Sequence, residues 1–256
     1  MNYFGSASTD VGIVKKTNQD SVCVKIADID GFGQVAMAVI CDGMGGLAKG
    51  ELASATVIRR FSDWFENQLP KFLKDYSWQK LADVWTKIVR EQNYKILDYG
   101  KKIQVNLGTT LAAILIIDGS YMVINVGDSR IYEISNRVKQ LTEDQTFVNR
   151  EIKEGRMTPQ EASVHPKRNM LLQCVGASAE VNPEIIFGKI EPNTVYMLCS
   201  DGFRHVLTEN EMLEKFNPDS INSIDEMEKS SRNLIELIKK RNERDNITVA
   251  LLKSIL

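Results

Sequence analysis

The chain has 256 residues, 43% hydrophobic and 26% charged, with 32 basic against 34 acidic residues and a net charge of −2. That length allows a substantial core, and so even a charge balance excludes a dedicated nucleic-acid binder, which needs a basic footprint. No apolar run approaches the ~18 residues that cross a bilayer, and the opening MNYFGSASTDVG lacks the basic segment and apolar stretch of a secretory leader, so the expected compartment is the cytoplasm.

In chain order, residues 22–27 and 35–41 are rich in β-branched and apolar side chains and read as strands joined by the turn Asp28-Ile29-Asp30-Gly31. A helix follows, with Val57, Ile58, Phe61, Trp64 and Phe65 on one face, and Pro70 breaks that pattern. A second helix carries Trp78, Leu81, Ala82, Trp85, Ile88 and Val89 on one stripe, which reads as core-facing and not as a ligand box. Strand periodicity returns at residues 109–117, 121–126 and 130–134, with Asp118-Gly119-Ser120 and Gly127-Asp128-Ser129 as hairpin turns. Residues 142–170 are polar and broken, with short helical pieces around Glu151 and Gln160, as expected of a mobile surface element. Residues 195–199 form a strand, 226–240 a helix with Met227, Leu234, Ile235 and Ile238 on its apolar stripe, and 247–252 a last strand.

Two adjacent helices between runs of hairpin-linked strands do not fit a regular βαβ alternation. They fit an α+β arrangement of antiparallel sheets with helices on the outer faces. No composition shift marks a boundary, so residues 1–256 are expected to form one domain. Cys23, Cys41, Cys174 and Cys199 stand singly in mostly apolar company, which reads as buried reduced thiols and gives no zinc spacing.

Four aspartates share one setting. Asp42 follows VAMAVIC, Asp128 follows YMVINVG, Asp201 follows VYMLCS and Asp245 precedes NITVALL. Each carboxylate projects from the end of an apolar strand whose backbone is held rigidly. Hard divalent cations take such oxygen ligands, and acids gathered without a cation repel one another and raise each other's pKa values. Asp-Gly pairs are also ordinary turn formers, so the pattern alone does not bring the four together.

The motifs resemble those of the type 2C protein phosphatases, the metal-dependent serine/threonine phosphatase family, in its bacterial branch. They are Thr9-Asp10-Val11-Gly12 with Asn18-Gln19-Asp20, Cys41-Asp42-Gly43-Met44-Gly45-Gly46, Gly108-Thr109-Thr110, Val126-Gly127-Asp128-Ser129-Arg130, Cys199-Ser200-Asp201-Gly202 and Asp245-Asn246-Ile247-Thr248. Six in register span nearly the whole chain, and the stretch from Leu141 to Gly176 is similar to that branch's flap. The resemblance implies a four-layer αββα sandwich with two central antiparallel sheets. It implies that Asp42 bridges two Mn²⁺ or Mg²⁺ ions, with the Gly43 carbonyl on one and Asp201 and Asp245 on the other. Asp128, with Asp201, would serve a third, weaker ion, and Asp20 would hold a metal-bound water. Asp42, Asp201 and Asp245 are thus the expected catalytic set, activating a water that attacks phosphorus directly, with no protein nucleophile.

The chain departs from the family pattern in two places. Lys15 stands where the family has a phosphate-gripping arginine, which keeps the charge and loses the planar fork. Gln19 replaces a common acid and cannot supply a carboxylate. Met44 takes the place of a histidine that some members have. His205, four residues after Asp201, is a candidate proton donor, and His165 is expected to shape the flap. The expected partners are phosphorylated proteins, as substrates of a serine/threonine protein kinase and including the kinase itself, met by a monomer without nucleic acid or membrane insertion. Two competing functions remain: a catalytically impaired pseudophosphatase that binds or scaffolds phosphoproteins, and a phosphodiesterase, against which the missing basic-aromatic stripe argues.

Overall fold

The structure is a computed structural model that describes residues 1–45 and 49–255, so Gly46 of the Asp42 motif lies outside the described residues. The first strands are β1 (Asn2–Asp10), β2 (Ser21–Ile29), β3 (Gly33–Cys41) and the short β4 (Gly43–Gly45). Then come the helices α1 (Gly50–Asp63), α2 (Leu69–Phe72) and α3 (Trp78–Ile103). Strands β5 (Leu107–Thr109), β6 (Leu111–Ile117), β7 (Ser120–Val126), β8 (Arg130–Ile134) and β9 (Val138–Gln140) precede α4 (Phe147–Lys153) and α5 (Pro159–Val164). The chain ends with β10 (Glu184–Lys189), β11 (Val195–Cys199), α6 (Asp201–Arg204), α7 (Glu209–Phe216), α8 (Ile224–Lys240) and β12 (Ile247–Ile255).

Two five-stranded antiparallel sheets form the centre, one in the order β1-β12-β11-β8-β9 and the other β10-β7-β6-β3-β2. Period-two alternation explains their stacking, because successive side chains face opposite layers. Along β3, Ala36, Ala38 and Ile40 meet Tyr196, Leu198, Ala250 and Leu252 of the other sheet, while Val35, Met37 and Val39 face α1 and α3. Outside the first sheet, Met212, Phe216, Leu234 and Ile238 of α7 and α8 cover Met197, Val249 and Leu251. This is the expected αββα sandwich. The stripe of α3 is core, with Trp85 set edge-on to Phe61 and Trp64 at centroid distances of 5.0 and 5.6 Å.

Three expectations need correction. Pro70 does not end the first helical run. A π turn at Trp64–Gln68 leads into α2, where Pro70 lies in the first turn and the missing N–H costs nothing. Gly127-Asp128-Ser129 is not a hairpin. β7 belongs to one sheet and β8 to the other, and the backbone bonds a hairpin would close go to Gln145, which donates its N–H to the Gly127 carbonyl and accepts from Gly127 N–H on its side chain, both at 2.9 Å. Among the cysteines, all of them free thiols, Cys23 is only half-buried.

Candidate metal centre

Strand direction brings the acids to one edge of the sandwich. In the second sheet, Cys41 at the end of β3 pairs with Ser21 at the start of β2, and Val126 at the end of β7 pairs with Leu111 at the start of β6. Asp20, Asp42 and Asp128 therefore emerge on the same side. In the first sheet, Cys199 at the end of β11 pairs with Val249 near the start of β12, which sets Asp201 beside Asp245. Asp42, Gly43, Asp128, Asp201 and Asp245 line one cavity of about 220 Å³, together with Lys15, Gln19, Thr110 and Asn169.

Each acid is held by its neighbours' backbone. Asp42 is clamped through the Gly108-Thr109-Thr110 motif: its N–H donates to Thr110 Oγ1 at 2.9 Å, and its carbonyl accepts from Thr110 N–H and Thr109 Oγ1 at 2.9 and 3.0 Å. Gly43 lies flush against the backbones of Gln19 and Gly50. Asp201 opens α6, whose second residue, Gly202, packs so closely on Asn246 that a Cβ there would run into the Asn246 carbonyl. The buried Asn246 side chain accepts from Gln19 N–H at 2.9 Å and donates to the carbonyls of Val11 and Thr17 at 2.9 and 3.2 Å, which fastens the segment carrying Lys15 and Asp20 to β12. Glu243 accepts from the N–H groups of Arg244 and Asp245 at 2.7 and 3.1 Å, fixing the approach to Asp245.

The electrostatics are those of crowded acids. Burial, followed by the charges of Asp20, Asp201, Asp128 and Asp245, pushes the Asp42 carboxyl well above the usual range. Burial lifts Asp20 to about 7; the Thr248 and Ser200 hydroxyls partly offset this, while Asp201 and Asp245 add to it. Neither hydroxyl closes a hydrogen bond on Asp20, and both its carboxylate oxygens, with Oδ1 of Asp201, are buried without a partner. Orphaned acceptors among mutually repelling acids are what a divalent cation satisfies. Among the described residues no three His, Cys, Asp or Glu side chains draw together closely enough to enclose one ion. Repulsion between uncompensated carboxylates opposes that approach, and a backbone carbonyl such as that of Gly43 is a further oxygen donor.

Lys15 faces the cavity, with Nζ 2.8 Å from Asp245 Oδ1. Burial lowers its pKa, but the bond to Asp245 and the charges of Asp42 and Asp201 outweigh this and leave it raised. His205 lies at ion-pair distance between Asp201 Oδ2 (3.8 Å) and Glu243 Oε2 (3.7 Å), and Glu243 above all raises its pKa. His165 stacks on Phe147 and accepts from Lys167 N–H, so it shapes the segment between α4 and α5 and the strands beyond. A wider cavity of about 990 Å³ adjoins the first, running past Asn149, Arg168, Asn169, His205 and Arg244.

The model of the protein phosphatase 2C family matches residues 13–239. The chain belongs to the protein phosphatase 2C family. Its serine/threonine phosphatase relative from Listeria monocytogenes is 30% identical over 257 residues, 96% of this chain and 93% of that protein. Among 2C-type structures, the serine/threonine phosphatase of S. agalactiae superposes with a TM-score of 0.86 at 28% identity over the whole of both chains. The catalytic domain of PstP in complex with two manganese ions gives 0.79 at 29% identity over 99% of each chain. Within this 2C frame, the roles of Thr109, Thr110 and Asn246 as clamps went unread from sequence although the motifs contain them. Glu243, which fixes the approach to Asp245, carried no motif at all.

Proposed function

We propose that this chain is a metal-dependent protein serine/threonine phosphatase that hydrolyses phosphoserine and phosphothreonine in proteins. The observation that carries the reading is the convergence of Asp42, Asp201 and Asp245 on one cavity, with buried carboxylate oxygens of Asp201 and the adjacent Asp20 left unpartnered. Asp42 and the Gly43 carbonyl, with Asp201 and Asp245, would hold two Mn²⁺ or Mg²⁺ ions, and Asp20 would orient water beside them. When bound, the ions supply a hydroxide-like nucleophile near neutral pH and offset charge on the phosphoryl oxygens. Lys15 attracts the phosphate as a point charge, without the bidentate fork an arginine would offer. His205, on the wall of the wider cavity, would give a proton to the departing serine or threonine oxygen. Residues 1–256 act as one catalytic unit, with residues 142–170 as a flap over the wider cavity. The substrates are phosphorylated proteins of a serine/threonine kinase system, the kinase among them.

A pseudophosphatase has no use for buried acids left without partners, and on that ground the catalytic reading is preferred. Release of phosphate from a phosphothreonine peptide in Mn²⁺ tests it, with EDTA and Asp201→Asn as controls. Turnover that needs Mn²⁺ and disappears in the variant is expected. Well-folded protein with no turnover on several peptides and a small aryl phosphate would favour the pseudophosphatase.

A further inference from the structure

Asp128 differs from the other acids of the centre in what surrounds it. Around Asp20 and Asp201 the buried atoms without partners are carboxylate oxygens, which call for a cation. Beside Asp128 the unpartnered buried atom is Nε of Arg204, a donor, so a positive charge already stands at this corner. Nη2 of Arg204 lies 3.7 Å from Asp128 Oδ2, with both side chains 11% exposed, and donates to the Asp128 carbonyl at 3.2 Å. The same nitrogen is 3.5 Å from Asp144 Oδ2. Asp144 in turn takes a two-pronged bond from Arg130, Nε to Oδ1 and Nη2 to Oδ2, both at 2.7 Å. Two carboxylates and two guanidiniums thus alternate in a largely shielded array whose own charges cancel.

The position of Arg204 follows from the chain. α6 begins at Asp201, and three residues later a helix returns to the same face, so the guanidinium is carried back over the strand ends toward Asp128. A guanidinium does not shed its proton, and Asp144 and the Asp128 carbonyl keep this one beside the Asp128 carboxylate. A divalent ion at Asp128 would be repelled by a fixed charge already on the same carboxylate.

We propose that Arg204 is a built-in cation for Asp128, and that this chain runs on two divalent ions with none held at Asp128. The inference rests on the two-ion reading above. Arg204 is then a positioning residue, which holds Asp128 and the root of the flap at Asp144 in one arrangement.

The test is the number of Mn²⁺ ions bound at saturation, read by titration calorimetry and by the electron paramagnetic resonance signal of free Mn²⁺. The unsubstituted chain is expected to bind two, and Asp128→Asn the same two. Arg204→Gln uncovers Asp128 and should add a third, weaker ion, which the double variant Arg204→Gln with Asp128→Asn should lose. A third ion on the unsubstituted chain that disappears in Asp128→Asn would overturn the proposal while leaving the two-ion reading intact. Should Arg204→Gln fail to fold by circular dichroism, the comparison with Asp128→Asn still decides, because it leaves the guanidinium in place. An unsubstituted chain that binds no Mn²⁺ would overturn the two-ion reading and this proposal with it.

Discussion

At the scale of single residues, the site is defined by which polar atoms lack partners. Asp42→Asn should lower Mn²⁺-dependent phosphate release by about 100-fold or more, since loss of groups that merely orient metal ligands already costs 10–100-fold. Steady-state kinetics at saturating Mn²⁺ would check this. Lys15 offers a separate test, because its Nζ pairs with Asp245 at 2.8 Å while facing the cavity. Restoring the fork with Lys15→Arg should lower KM for a phosphopeptide severalfold, and Lys15→Ala should raise it, with kcat changed less in both. An unaltered KM in Lys15→Ala would remove Lys15 from phosphate binding.

At the scale of elements, close packing sets the geometry of the centre. A Cβ at Gly202 would meet the Asn246 carbonyl, so Gly202→Ala must push α6 away from β12 and separate Asp201 from Asp245. It should weaken Mn²⁺ affinity more than it lowers the melting temperature, and calorimetry beside thermal denaturation would tell the two effects apart. Trp85→Ala, remote from the site, should do the reverse: a loss of about 3–5 kcal/mol in urea denaturation, with metal affinity of the surviving fold unchanged. Much of this level was legible in the sequence. The α3 stripe, the hairpins around Asp30 and Gly119, and the strand ends bearing Asp42, Asp128, Asp201 and Asp245 all follow from local periodicity and turn chemistry. What was not legible is long-range. Gly127-Asp128-Ser129 has the composition of a hairpin turn, and only Gln145, far along the chain, turns it into a passage between sheets. The Asp128–Arg204 and His205–Glu243 pairs likewise join residues 76 and 38 positions apart, with no local pattern to announce them.

At the scale of the whole molecule, the buried acids make stability depend on pH and on metal together. Asp20 and Asp128 are lifted from 3.8 to about 7 and about 6, in each case mainly by burial. A carboxyl whose folded pKa is raised supports folding fully below its unfolded value, and that support is lost as pH rises through the folded one. The metal-free chain should therefore melt at a lower temperature at pH 8 than at pH 5. Added Mn²⁺ should raise the melting temperature more at pH 8, where Asp20 is ionised and its oxygens have no other partner. Scanning fluorimetry in EDTA and in Mn²⁺ across that range would measure both slopes. Below about pH 4 the trend should reverse, because Glu151 and Glu211 are held down to about 2 in the folded chain by Arg156 and Arg241, and that stabilisation is lost as pH falls from the ordinary glutamate range through 2.

The pairing of β1 with β12 has a further effect, on the time course of folding. β12 lies between β1 and β11, so the sheet that carries Asp201 and Asp245 closes only when segments from opposite ends of the chain have met. Contacts so distant in sequence form late, because a large loop must close before they return any energy. Metal affinity should therefore appear in the last phase of refolding, after most helical signal has recovered. Until β12 has docked between β1 and β11, Asp245 has no fixed place beside Asp201 and there is no metal centre to fill.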